Sequence, residues 1–248
     1  MTDISYLSVI GIKSVSKSGA MQPLLCTLEN GKDYYVKYFD TAAGADLYNE
    51  LICCELAKLY KLNIPDYKIA MFDQNNIKFF NLTNKVKIDI IPCFGFASEY
   101  QESYSLIKNI QIPKISDDIK MKVFLFDWWI KNSDRKKDTN QKFNSNFLFQ
   151  YPDSYFLIDH NNAFSFSFKE NDFLETHIFS DIKDKITADF LAEQKVILKS
   201  IATESKITDI LDKIPIEWDF GKNQNLSYDT KDKICELLNR VDKGFWHE

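Results

Sequence analysis

FLFDWWIKNSDRKKDTNQKFNSNFLFQYPDSYFLIDHNNAF, running from Phe124 to Phe164, decides how the rest of the chain is read. It opens with an aromatic-rich helical segment that is apolar over most of its circumference, which predicts a buried helix. That helix feeds a polar loop carrying Asp134, and a rigid support of this kind preorganises a catalytic group. A short apolar strand follows Asn146, and a second one, Tyr155 to Ile158, delivers Asp159 into another polar loop. Asn146 and Asp159 are 13 residues apart with two short strands between them, the length of a β-hairpin that brings its ends together. Two carboxylates and an amide thus lie at the mouths of consecutive elements.

Phosphoryl transfer needs such a set. One carboxylate orients the attacking hydroxyl and accepts its proton, while a second carboxylate and an amide hold Mg²⁺ against the nucleotide phosphates. Taken singly, each of these residues reads as a helix cap or turn residue; the ordered combination carries the argument, and it has counterparts upstream. Lys37 sits in the strand-like run YYVKYF and shares a face with Tyr35 and Phe39, so an anionic partner is expected for it unless it is an edge-strand Lys. Ala45 to Tyr60 reads as a helix stopped by Asn63-Ile64-Pro65, with Glu50 and Glu55 as the acidic candidates for pairing with that Lys. Ser14 to Ala20 is a small, polar stretch that reads either as a surface turn or as a phosphate-covering loop, in which Ser16 and Ser18 would approach the nucleotide.

Working outward, Ile4 to Phe39 is strand-like, with a hairpin through Glu29-Asn30-Gly31-Lys32. Tyr67 to Phe72, Ile77 to Leu82 and Lys85 to Pro92 read as further short strands, and Pro92 to Gln101 reads as an irregular connection. Ser116 is a helix N-cap with Asp117 and Asp118 in the first turn. From Glu170 onward, apolar residues recur at helical spacing, among them Ile182, Ile186, Phe190, Leu191, Val196, Ile197 and Ile201. This divides the chain at residue 96, into an N-terminal part, 1–96, and a C-terminal part, 97–248.

A length of 248 residues, with 20 Phe and 12 Tyr, supplies a large core without disulfides or metal clusters. The net charge of −5 argues against gripping nucleic acid by bulk charge. Cys26, Cys53, Cys54, Cys93 and Cys235 form no C-x-x-C pair, and the first residues carry neither a basic nor an apolar leader segment, so reduced thiols in a cytoplasm are expected. No apolar run approaches the roughly 18 residues of a membrane span.

The chain resembles the HipA-like kinases, a branch of the protein-kinase-like superfamily, over most of its length. The likeness is carried by YYVK at Tyr34 to Lys37, YNELICCELAKLYKLNIP ending at Pro65, FDWWIKNSDR ending at Arg135, NSNFLF from Asn144, and FLIDHNNAF from Phe156. IPIEW from Ile214 and LLNRVD from Leu237 add to it. The resemblance implies an α+β, protein-kinase-like two-lobe fold, with an N-terminal antiparallel sheet bearing one main helix and a mostly helical C-terminal lobe. It implies ATP and Mg²⁺ as cofactors, with Lys37 on the nucleotide phosphates, Glu50 orienting it, Asp134 as catalytic base and Asp159 as metal ligand. The family's metal-binding Asn follows the catalytic Asp by five residues, where this chain has Thr139. Asn140, Asn144 and Asn146 are the candidates after an insertion, and Asn146 is favoured because a strand begins at once. Asn161 stands where the family's loop has Gly. Family likeness implies transfer to Ser or Thr of a protein substrate, in a growth-arresting toxin with an antitoxin partner. The Asp134-Arg135 pair and IDHNNAF are also similar to type II phosphatidylinositol kinases, which makes a lipid or small-molecule acceptor the second reading and an inactive nucleotide-binding pseudokinase the third.

Overall fold

The Asn30-Gly31 turn forms as its residues dictate. Gly31 has φ of 79°, a conformation that strains residues with a Cβ, and the Lys32 amide donates to Asn30 Oδ1 at 3.1 Å. The hairpin joins β2 (Leu24–Leu28) to β3 (Asp33–Tyr38) in antiparallel register. The computed structural model describes residues 4–16, 22–38, 44–83, 87–88, 92–137, 143–152, 154–220 and 226–246, and it is an α+β structure. Contacts divide the chain into two compact units, the first made of Met1–Leu51, Pro65–Glu102 and Lys213–Ser227, the second of Ile52–Ile64, Ser103–Asp212 and Tyr228–Glu248.

In the first unit, β1 (Tyr6–Val15), β4 (Tyr67–Met71) and β5 (Phe94–Glu99) complete a barrel in the order β1-β2-β3-β5-β4. The expected antiparallel sheet is therefore corrected to a closed one, in which β1 and β4 pair in parallel while the other pairs are antiparallel. Closure leaves no exposed edge to template aggregation. Alternate residues fill the interior: Leu24, Cys26 and Leu28 of β2 and Tyr34, Val36 and Tyr38 of β3, with Val9, Ala70 and Ala97.

Two segments of this unit differ from expectation. Ile77 to Leu82, expected as a strand, lies in helix α2 (Gln74–Thr83). Asp73 starts it by accepting the amides of Asn75 and Asn76 at 2.6 and 3.0 Å, and only Ile77 and Phe80, three apart, are buried, while Phe79 and Leu82 point to solvent. Pro92 to Gln101, expected as a connection, contains β5, which pairs with both β3 and β4. Gly95, which looks like a breaker, is required by close approach: a Cβ there would lie 2.6 Å from the Lys37 carbonyl oxygen. Much of the expected Lys85–Pro92 strand lies outside the described residues, and Lys87 and Ile88 belong to no strand. Trp218 of the IPIEW segment joins this unit, donating from Nε1 to the Phe94 carbonyl at 3.0 Å.

Helix α1 (Gly44–Leu59) contributes to both units and ends where Lys61 turns at φ of 61°. In the second unit, α3 (Asp117–Trp129) is capped by Ser116 and buries every residue from Val123 to Trp129. The unit also holds a three-stranded sheet of β6 (Ser105–Leu106), β7 (Phe147–Gln150) and β8 (Ser154–Leu157), helices α4 (Glu170–Thr176), α5 (Ala188–Ile201) and α6 (Glu204–Leu211), and, from Tyr228 onward, α7 (Leu226–Leu238). The aromatic ends of α3 are satisfied individually. Trp129 Nε1 donates to the Leu238 carbonyl at 2.8 Å, and the Arg240 guanidinium lies 3.8 Å over the Trp128 ring. On α5 the buried stripe is Leu191, Gln194, Leu198 and Ile201, whereas Val196 is 71% exposed. Gln194 takes a core position because its Oε1 accepts the Tyr60 hydroxyl at 2.7 Å.

Candidate active site

The candidate residues fall into one set in each unit. In the first, alternation along β3 turns Tyr34, Val36 and Tyr38 into the barrel and leaves Lys37 on the outer face, so its apolar surroundings are not the barrel core. Its side chain is nonetheless only 14% exposed, because it forms an ion pair with Glu50 of α1, itself 2% exposed. Of the two acidic candidates on α1, Glu50 is therefore the one joined to Lys37. Removing either partner would cost the other this ion pair at a largely desolvated position. Ser14 and Val15 belong to β1, so the expected loop begins two residues later; the Ser16 amide donates to the Pro23 carbonyl at 2.8 Å, and Ser18 lies outside the described residues.

The second set is built on the end of α3. The chain turns at Lys131, whose φ is 52°, and the Asn132 amide donates to the Asp127 carbonyl at 2.8 Å. The Asn132 side chain then works in both directions: Nδ2 donates to Asp127 Oδ1 at 3.0 Å, and Oδ1 accepts the Asp134 amide at 3.2 Å. Asp134 is thereby tied to the buried helix by a side chain as well as by sequence.

Beneath it lies a buried ionic cluster. Arg135 Nε donates to Asp127 Oδ2 at 2.7 Å, and its Nη1 donates to the carbonyls of Ser145, at 3.2 Å, and Asn146. His177 Nε2 contacts the same Asp127 oxygen at 3.0 Å, while its Nδ1 accepts the Phe179 amide at 3.1 Å. The accepting Nδ1 makes Nε2 the protonated nitrogen of a neutral ring. Burial pushes the Asp127 carboxyl up, but the Arg135 guanidinium and the His177 hydrogen bond outweigh it and hold Asp127 well below the usual carboxylate range. Burial likewise lowers His177, with Asp127 pulling the other way.

That lowering has a pH consequence. An unfolded chain binds a proton on this imidazole near pH 6.5, which the folded state refuses, so stability falls as pH drops below about 6.5 towards the folded value. The slope contributed by one such proton is at most about 1.4 kcal/mol per pH unit. Asp127 is depressed, so its contribution is lost only in more acidic solution, below the ordinary carboxylate range. Urea midpoints should therefore fall between about pH 6.5 and 5.5 in the wild type, and His177→Gln should flatten that fall. An unchanged slope in the variant would assign the effect to another group.

The β7–β8 hairpin brings its ends together, since the Ile158 amide donates to the Asn146 carbonyl at 3.1 Å and Asp159 is the next residue. Asn146 and Asp159 both have positive φ, 42° and 62°. At Asp134 three side-chain amides converge on one oxygen, Oδ2: Asn144 at 3.0 Å, Asn146 at 3.1 Å and Asn162 at 3.3 Å. Asp134 and Asn146 are thus in direct contact. With its amide nitrogen on Asp134, Asn146 keeps its amide oxygen without a hydrogen bond among the described residues. An amide oxygen and a nearby carboxylate are the hard oxygen donors that suit Mg²⁺, so the residues present fit that ion. Asn144 shares the amide contact, and Asn140 lies outside the described residues.

Sequence reasoning did not single out Asp127, Asn132, His177 or Asn162, and it offered Asn144 as a metal-ligand candidate rather than as a partner of Asp134. Asp127 carried a signal, a carboxylate inside the otherwise apolar run from Val123 to Trp129, which demands a buried partner. Nothing local marks His177, 50 residues away, as that partner.

Comparison with known proteins accords with this architecture. The family model described as HipA-like kinase matches residues 9–248, and the chain belongs to that family. It is accordingly a kinase-type phosphotransferase by family. The crystal structure of a Helicobacter pylori proinflammatory kinase, CtkA, is similar in fold, with a TM-score of 0.52 at 13% identity, covering 98% of this chain and 94% of that one. No curated protein matches the chain. Among the described residues, no helix is long and apolar enough to cross a membrane.

Proposed function

We propose that the protein transfers the γ-phosphoryl group of ATP to a serine or threonine hydroxyl of a protein, through a two-lobe arrangement of the protein-kinase type. The observation that carries the reading is the contact of Asp134 with Asn146 at the mouth of the β7–β8 hairpin, where the Asn146 carbonyl bonds the Ile158 amide and Asp159 is the next residue. In this reading Lys37, held by Glu50, contacts the nucleotide phosphates, and the segment containing Ser16 and Ser18 covers them. Asn146 and Asp159 would hold Mg²⁺, which would neutralise charge on the transferring phosphoryl group. Asp134 accepts the proton of the acceptor hydroxyl, and the buried Asp127–Arg135 pair keeps the loop bearing it in place. The reading includes a growth-arresting role in the cytoplasm with an antitoxin partner.

The test is ATP stabilisation and transfer measured together. Millimolar ATP with Mg²⁺ should raise the melting temperature of the wild type, Lys37→Ala should reduce that rise, and label from γ-labelled ATP should reach protein in a lysate. Expression of the wild type should arrest growth, and Asp159→Ala should not. Stabilisation without transfer would favour the pseudokinase, and transfer to lipid alone would overturn the protein acceptor.

A further inference from the structure

The Asp134 carboxylate is held unevenly. The amides of Asn144, Asn146 and Asn162 all donate to Oδ2, and among the described residues none donates to Oδ1. The donors come from three separate places. Asn144 is bridged to Lys136, whose amide donates to its carbonyl at 2.7 Å. Asn146 immediately precedes β7, and Asn162 lies three residues beyond Asp159. A carboxylate has two oxygens with roughly two acceptor sites each. Three donors therefore saturate Oδ2 and stop the group from rotating, while the other oxygen stays available.

We propose that Asn144 and Asn162 are positioning residues that lock Oδ2 of Asp134 and so present Oδ1 to the acceptor hydroxyl. This rests on the reading of Asp134 as the base. In the step, the acceptor O–H bond breaks and its proton passes to Oδ1. The acceptor oxygen forms its bond to the γ-phosphorus as the bond to the β–γ bridging oxygen breaks, and ADP leaves with that electron pair. Oδ2 takes no proton because its lone pairs are engaged. Asn162 also sits on the loop that follows Asp159, so displacement of this loop withdraws a donor from the base. The loop's placement and the orientation of the base are thereby linked through one hydrogen bond.

The closing experiment has one arm independent of activity. In nitrogen-15 spectra of the full chain, the side-chain amide signals of Asn144 and Asn162 should shift and exchange faster in Asp134→Ala. In kinetics with lysate protein as acceptor, Asn144→Ala and Asn162→Ala should each lower the maximal transfer rate roughly tenfold to a hundredfold, with the half-saturating ATP concentration within about twofold of wild type. Neither should lower the residual rate further once Asp134→Ala is present, since both act through that residue. Amide signals that ignore Asp134→Ala, or losses that multiply with it, overturn the proposal while leaving the kinase reading intact. Amide signals that respond, alongside a wild type that transfers nothing, overturn the kinase reading and the positioning role with it.

Discussion

Replacing Arg135 by methionine should destabilise the protein by roughly 3–5 kcal/mol, the range expected when one partner of a buried ion pair is removed. The guanidinium is fully buried and holds three groups at once: the Asp127 carboxylate, the Ser145 carbonyl and the Asn146 carbonyl. Methionine restores the volume but none of the donors. Among the described residues Asp127 would then keep the His177 and Asn132 contacts, and two buried carbonyls would each lose a donor. The cost comes from what is left behind, so the double variant Asp127→Asn with Arg135→Met should lose clearly less than the sum of the two single changes. Urea denaturation of the four proteins at neutral pH measures this. A loss below about 1 kcal/mol in Arg135→Met would mean that the cluster does not anchor the loop.

Asp134→Ala should do the opposite, leaving the fold almost intact and removing phosphotransfer. Asp134 is only partly buried, and among the described residues its side chain accepts hydrogen bonds from three asparagine amides, which can turn to water when it is gone. Stability should stay within about 1 kcal/mol of wild type. The maximal transfer rate should fall by roughly 10²–10⁴, the usual contribution of a general base. ATP-induced stabilisation should persist, because the nucleotide is proposed to be held by Lys37, which Glu50 positions, by the segment with Ser16 and Ser18, and through Mg²⁺ at Asn146 and Asp159, and not by Asp134. A variant that retains transfer, or one that unfolds, would remove Asp134 from the role given to it.

Local chemistry made much of the fold legible. The Asn30-Gly31 hairpin, α1 with its stop before Pro65, the capped and buried α3 and the β7–β8 hairpin follow from residues within a few positions of one another. The misread elements depend on distant partners. The Gly at position 95 looks like a break until β5 lies against the Lys37 carbonyl. The apolar residues from Ile77 to Leu82 read as a strand because Asp73, just outside the run, supplies the helix start. On α5 a glutamine displaces Val196 from the buried stripe only because Tyr60 supplies a partner.

The site divides along the same line. Lys37 and Glu50, 13 residues apart, and Asp134 with Asn146, 12 apart, sit on elements whose types were readable, and each pair is in contact. Asn162 looks like an ordinary turn asparagine in an Asn-rich chain and Asn144 reads as a metal-ligand candidate, and only the folded geometry points both amides at one oxygen. The cluster of Asp127, Arg135 and His177 joins residues up to 50 positions apart, beyond the reach of periodicity or spacing.

The central claim is that Asp134 serves phosphoryl transfer to a protein hydroxyl. Purified wild type and Asp134→Ala, each incubated with γ-labelled ATP, Mg²⁺ and total lysate, test it directly. The predicted result is labelled protein bands, stable to lipid extraction, with the wild type and their near-complete loss with the variant. Equal labelling by the two proteins, or no labelling by a wild type that ATP stabilises, would contradict it.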